Sequence, residues 1–203
     1  MLRYSALQET TLKNDPYPYL VLTDAFEEGT LQKVLSDFPV IQHPGSIPVA
    51  EVESGPGFEA LINELNSDQF RSAIEAKFDV DLSDSPTMFT VRGVMRKKDG
   101  RIHTDSKTKI ITVLFYFNED WANEGGYLRV LRNGTDIEDY VEEIAPKAGT
   151  MMAFKVTDNC WHGHKPVVGE RRSIQMNYLV SKAALGKHNF FHGLSAKLKK
   201  IFS

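Results

Sequence analysis

The sequence predicts an α+β chain in which an antiparallel β-roll is buttressed by the helices that precede it. Two observations carry this expectation. Before about residue 87 the apolar residues recur at helical spacing, whereas beyond it they fall into short β-rich runs separated by turn residues. Strands and helices do not alternate as a parallel sheet requires, so an antiparallel barrel or double-sheet jelly roll follows instead of βαβ units.

Taken in order, Tyr19–Thr23 reads as a short strand after a Pro-Tyr-Pro-Tyr stretch. Asp24 opens a helical pattern through Leu31, Val34, Leu35 and Phe38, which Pro39 ends. The proline- and glycine-rich stretch 40–56 predicts a loop. A second helical stretch spans Phe58 to Phe78, with Leu61, Ile62, Leu65, Phe70, Ile74 and Phe78 on its apolar face. It is interrupted near Ser67-Asp68, both natural N-caps. Strands are then expected over Met88–Met95, Lys109–Asn118, Tyr127–Leu131, Tyr140–Ile144, Thr150–Phe154 and Ser173–Val180. The tail from Asn189 has the pattern of an amphipathic helix packing on the protein's own surface. The resulting organisation is one domain: helical support over 1–86, a β-roll over 87–182 and a terminal helix over 187–203.

Composition narrows the function. A chain of 203 residues with 41% hydrophobic residues is long enough to enclose a sizeable core. A net charge of −3 offers no basic footprint for a nucleic acid. No apolar run is long enough to span a bilayer, and the N-terminal stretch lacks the apolar segment of a secretory leader. Cys160 is the single cysteine, which fits a reducing compartment, so a cytoplasmic location is the expectation. One cysteine also rules out a thiol-rich zinc site, leaving histidines and carboxylates as metal ligands.

Two short segments concentrate those residue types. In Arg101-Ile102-His103-Thr104-Asp105, an extended backbone turns His103 and Asp105 to one face. In Trp161-His162-Gly163-His164, either histidine is placed to add a third ligand from a distant strand. Two histidines and a carboxylate leave open positions on an octahedral metal, the donor set of non-haem Fe(II) oxygenases. The paired arginines Arg171-Arg172 lie shortly downstream, and an arginine fork is the natural partner for the far carboxylate of a dianionic oxo acid. Both cannot point inward from one regular strand. The polar series Arg171, Ser173, Gln175, Asn177 favours Arg171, whereas counting back from Tyr178 favours Arg172, towards which the balance leans slightly.

The stretch from Thr90 to Val180 resembles the catalytic core of the prolyl-4-hydroxylase-like branch of the 2-oxoglutarate/Fe(II) dioxygenase superfamily. The residues that carry the resemblance are His103-Thr104-Asp105, the strand Ile111–Asn118, Gly125-Gly126-x-Leu128 and Pro146-x-x-Gly149. Phe154, His162-x-x-x-Pro166-Val167-x-x-Gly169 and a basic residue opening the last strand complete it. The resemblance implies a double-stranded β-helix core and a hydroxylase that uses Fe(II) and 2-oxoglutarate, with O2 consumed, succinate and CO2 as co-products and ascorbate as an auxiliary reductant. It implies His103, Asp105 and His162 as iron ligands, with His162 preferred over His164 because of Pro166. Tyr116 falls where related hydroxylases place a tyrosine hydroxyl on the far carboxylate; read from the residues alone it is equally a core aromatic. The substrate stays open among prolyl residues of a protein, amino acids and small molecules. Pro44–Pro56 and Asp99–Thr108 are candidate lids, with Arg92 and Arg96 as candidate substrate anchors. The competing reading is a non-catalytic β-roll that binds a small ligand or a non-redox metal. Oligomeric state is not legible.

Overall fold

The computed structural model describes residues 1–186. In chain order the elements are α1 (Tyr4–Glu9), β1 (Tyr19–Leu22), α2 (Thr30–Ser36), β2 (Ile47–Pro48), α3 (Pro56–Leu65) and α4 (Asp68–Phe78). There follow β3 (Thr87–Met95), β4 (Lys109–Tyr116), β5 (Leu128–Leu131), β6 (Tyr140–Ile144), β7 (Met151–Lys155), β8 (His162–Gly163) and β9 (Gly169–Leu179). The helix expected over 187–203 lies outside the described residues.

The helices follow local chemistry. Pro56 opens α3, where its fixed φ and missing N–H cost nothing. The break expected near Ser67 separates α3 from α4, and Ser67 caps α4 by accepting from the Phe70 N–H at 3.2 Å. The helix expected from Asp24 begins only at Thr30. The backbone at Phe26 bridges Leu2 instead, and Gly29, at φ 73°, makes the turn into α2. Helix α1 and strands β2 and β8 lie outside the sequence expectation; each is too short to show a period.

Six strands form a large sheet in the order β1-β7-β4-β9-β3-β2, and three form a small one in the order β6-β5-β8. Every ladder is antiparallel. One face of the large sheet presents Ile111, Val113, Phe115, Ile174 and Met176 to Phe58, Leu61, Phe70 and Ile74 of α3 and α4. Side chains of this size contribute about 1.5–3 kcal/mol each when fully buried, which is what fixes the helices to the sheet. The other face sends Tyr116, Met152 and Phe154 towards Leu128, Val130 and Ile144 of the small sheet. The result is the double-stranded β-helix: two sheets face to face, with helices covering the outer side of one. The stretch 40–56 is not a free loop, because β2 adds to the edge of β3 through Ile47↔Val91 and Pro48↔Thr90.

Candidate metal centre

The mouth between the two sheets is polar. A cavity of about 100 Å³ opens there, and His103, Asp105, His162, Tyr116, Arg171 and Arg92 are among its lining residues. The ladder of the small sheet brings the first three together. Beyond β8, His103 and His162 form an antiparallel bridge in which each backbone N–H donates to the other's carbonyl at 3.0 Å. The loop that leaves His103 then turns Asp105 back to the same side. One ligand atom from each of His103, Asp105 and His162 lies within 4.8 Å of the others, a spacing that small side-chain rotations close around a single ion.

The imidazoles are prepared for a metal. Nδ1 of His162 lies 2.8 Å from the Cys160 carbonyl, and Nδ1 of His103 lies 2.8 Å from the Arg101 carbonyl. A carbonyl only accepts, so both Nδ1 atoms carry a proton, which leaves Nε2 as the ligand atom of each ring. Burial, followed by the neighbouring His103, pushes the His162 pKa down to about 4, so that ring is neutral at physiological pH.

Asp105 is held ionised. Burial works against its charge, but Lys109 above all, with His162 and Thr112, holds the carboxyl below its ordinary range. Lys109 Nζ lies 3.0 Å from Oδ1, and Thr112 donates to Oδ2. Asn177 Nδ2 donates to Thr112 Oγ1 at 2.8 Å, and Gln175 Nε2 donates to Asn177 Oδ1 at 3.2 Å. A polar relay thus runs from β9 across β4 to the carboxylate. The sequence reading misses Lys109 and Thr112 and places Asn177 only on the polar face of β9. The only signal was polar residues at alternate positions of otherwise apolar strands.

The paired arginines separate cleanly. Arg171 is buried, donates from Nε to the Gly126 carbonyl at 2.9 Å, and holds its guanidinium carbon 5.0 Å from the Tyr116 ring centroid. Its Nη2 is buried with no hydrogen-bond partner. Arg172 points the other way, pairs with Glu170 at 2.7 Å and lies 5.9 Å from the Phe38 ring centroid. The lean towards Arg172 is therefore corrected. Counting from Tyr178 preserves parity, but Tyr178 belongs to the helix-packed face. The pair also sits at a bulge: between Arg92↔Ser173 and Val94↔Glu170, β9 has two residues where β3 has only Gly93.

His164 lines the cavity but is not part of the three-residue cluster. Its Nδ1 lies 2.8 Å from the Lys165 carbonyl, and its ring packs over Gly100, where a Cβ would lie only 2.1 Å from it. The loop expected as a lid over Asp99–Thr108 carries two of the clustered residues and is tied down by the His164 N–H, which donates to the Gly100 carbonyl at 2.8 Å.

Fold and donor set together are those expected of a metal-dependent oxygenase. Residues 92–179 match the family model described as the 2OG-Fe(II) oxygenase superfamily. No curated protein sequence matches the chain. Among solved structures, a prolyl-4-hydroxylase from Pseudomonas putida is similar at 18% identity, over 79% of this chain and 91% of its own, with a TM-score of 0.57. The viral collagen prolyl hydroxylase of Paramecium Bursaria Chlorella virus-1, in its 2OG complex, is 14% identical over 83% of this chain and 99% of its own, with a TM-score of 0.59. A Trichoplax adhaerens prolyl hydroxylase, in complex with a hypoxia inducible factor peptide fragment, is 18% identical over 79% and 83%, with a TM-score of 0.53. The fold is thus that of the prolyl hydroxylases. Among the described residues, no helix is long and apolar enough to cross a membrane.

Proposed function

We propose that the chain is an Fe(II)- and 2-oxoglutarate-dependent hydroxylase. In this reading Nε2 of His103, a carboxylate oxygen of Asp105 and Nε2 of His162 hold the metal, and Arg171 with Tyr116 receives the far carboxylate of 2-oxoglutarate. The observation that carries it is the Arg171 Nη2, a buried donor without a partner in a cavity that also holds three metal-ligand atoms. An unpaired guanidinium nitrogen away from water is costly, and a carboxylate resolves that cost with a charge-assisted bond.

When bound, the metal and 2-oxoglutarate supply oxidative decarboxylation: one atom of O2 enters succinate as CO2 leaves, and the other becomes the hydroxyl of the product. The chain's own part is positioning. Arg171 fixes the co-substrate's outer end, its Nε already committed to Gly126. Burial raises the Tyr116 hydroxyl above the ordinary tyrosine range, so it stays protonated and available as a donor to that carboxylate. Lys109 and Thr112 orient Asp105. Leu114, Leu128 and Met95 line the same cavity and limit water around the reacting atoms. With a single, buried cysteine, the protein is read as working in a reducing compartment, the cytoplasm.

The test is anaerobic addition of Fe(II) and 2-oxoglutarate. The expected result is a visible charge-transfer absorption that is absent from Asp105→Ala. Wild-type protein without such absorption, or an unchanged band in the variant, overturns the reading.

A further inference from the structure

Among the arginines carried on strands, Arg129 and Arg172 each have a carboxylate partner: Arg129 meets Glu143 at 2.7 Å and Glu138 at 3.0 Å, and Arg172 meets Glu170 at 2.7 Å. Arg96, just beyond β3, pairs with Asp99 at 3.1 Å. Arg92 and Arg171 have no carboxylate partner among the described residues, and both line the cavity. The proposed function uses Arg171. It leaves Arg92 without a role.

Arg92 belongs to the wall of the site. It stands opposite Ser173 on β9, and Ser173 stands opposite Tyr116 on β4, so the three form one row across the inner face of the sheet. Its Nε donates to Ser46 Oγ at 2.9 Å, its one hydrogen bond among the described residues. That bond fixes the planar head from the side of the stretch preceding β2 and leaves both terminal nitrogens for another partner. Burial lowers its pKa, Asp99 opposes this, and the nearby charges of Arg171 and Arg96 add to the lowering. An arginine so placed still keeps its proton. Two like charges therefore face one small space, an arrangement that anions stabilise.

The anions already assigned are committed to other partners. Asp105 is paired with Lys109. In the proposed site, one carboxylate of 2-oxoglutarate goes to Arg171 and the other to the metal. One cation is left over, set into the wall and not on the rim. A peptide backbone passing the mouth presents only neutral amides to it, whereas a small acid can carry its charge inside.

We infer that Arg92 anchors an anionic group of the substrate, and that the substrate is a small molecule bearing a carboxylate or a phosphate. This rests on the proposed function, in which Arg171 is already taken by 2-oxoglutarate. The bidentate fork of Arg92 fixes the anion, and its place in the row with Ser173 and Tyr116 sets the depth to which the remainder of the molecule enters.

The experiment uses protein loaded anaerobically with Fe(II) and saturating 2-oxoglutarate, titrated calorimetrically with inorganic phosphate and, separately, with acetate. Wild type is expected to bind one of the two, which distinguishes a phosphate from a carboxylate substrate. In Arg92→Gln that affinity falls about tenfold or more, as loss of a charge-assisted bond requires, and Arg92→Lys retains part of it. The affinity for 2-oxoglutarate, read from the visible absorption, stays within about threefold of wild type in both variants, since Arg171 keeps its fork. Equal anion binding by Arg92→Gln, or none by wild type, overturns the inference and leaves the proposed function standing. A loss of 2-oxoglutarate in Arg92→Gln as deep as that in Arg171→Gln assigns Arg92 to the co-substrate and overturns it too. Wild type that takes up no 2-oxoglutarate overturns the proposed function, and this inference with it.

Discussion

Lys109 Nζ sits 3.0 Å from Asp105 Oδ1, and both side chains are almost withdrawn from solvent. In the free protein this ammonium is the cation that makes a buried carboxylate tolerable. Removing one partner of a buried ion pair leaves the other charge uncompensated, at a cost of about 3–5 kcal/mol. Lys109→Met is therefore expected to lower the melting temperature of the metal-free protein markedly. A divalent cation at Asp105 supplies the missing charge, so the loss should shrink when Mn(II) is added. Thermal unfolding of wild type and variant, with and without Mn(II), measures both effects. An equal loss in the two conditions would show that Lys109 acts through packing alone.

Thr112 links Asp105 to Asn177, and its hydroxyl is the only hydrogen-bond donor to Asp105 Oδ2 among the described residues. Thr112→Val keeps the shape and removes the hydroxyl, leaving Oδ2 and the Asn177 amide each short of a partner. Partners of metal ligands typically carry about 10–100-fold in metal affinity. The expected outcome is a loss in that range, with 2-oxoglutarate binding at saturating metal little changed. Competition with a chromophoric chelator reads the metal affinity directly. A variant that binds metal like wild type removes the relay from the site.

The neighbours Arg171 and Arg172 give a sharper contrast. Arg171→Gln removes the fork in the cavity, and the affinity for 2-oxoglutarate should fall about 30-fold or more, the cost of a lost charged hydrogen bond in a buried site. Arg172→Gln breaks only a half-exposed pair with Glu170. It should leave 2-oxoglutarate binding unchanged and cost no more than about 1 kcal/mol of stability. Titrating the Fe(II) protein with 2-oxoglutarate in both variants decides between the faces; the reverse pattern would return the anchor to Arg172.

Those two residues also mark how far the sequence could be read. The alternation Arg171, Ser173, Gln175, Asn177 is a period-two signal, and it assigns the polar face of β9 correctly. What alternation cannot supply is an absolute face, and Tyr178, used as the reference, lies against the helices. The bulge opposite Gly93 has no sequence signature. His103 and Asp105 were legible as a pair because an extended segment holds them two residues apart, although this one makes a single bridge and no ladder. The strand registers that bring Lys109, Thr112 and Arg92 to the site arise from pairing between distant segments, which no local pattern encodes.

Gly100 gives a prediction about that long-range packing. Its φ of +79° lies in the left-handed region, and an added Cβ would fall 2.1 Å from the His164 ring. The backbone strain of a non-glycine residue there is about 1–2 kcal/mol, and the contact is with an imidazole whose Nδ1 is tied to the Lys165 carbonyl. The ring cannot simply rotate away without giving up that bond. Gly100→Ala should therefore destabilise the protein by more than the strain alone. It should also disturb the loop that carries His103, because the Gly100 carbonyl accepts from the His164 N–H two residues beyond His162. Metal affinity is expected to fall together with stability. His164→Ala in the same background relieves the contact and should recover part of both, provided the loop returns to its place. Chemical denaturation and chelator competition on the single and double variants test this coupling. Purely additive effects would mean that His164 and the loop respond independently, and that the close packing over Gly100 does not help to position His103.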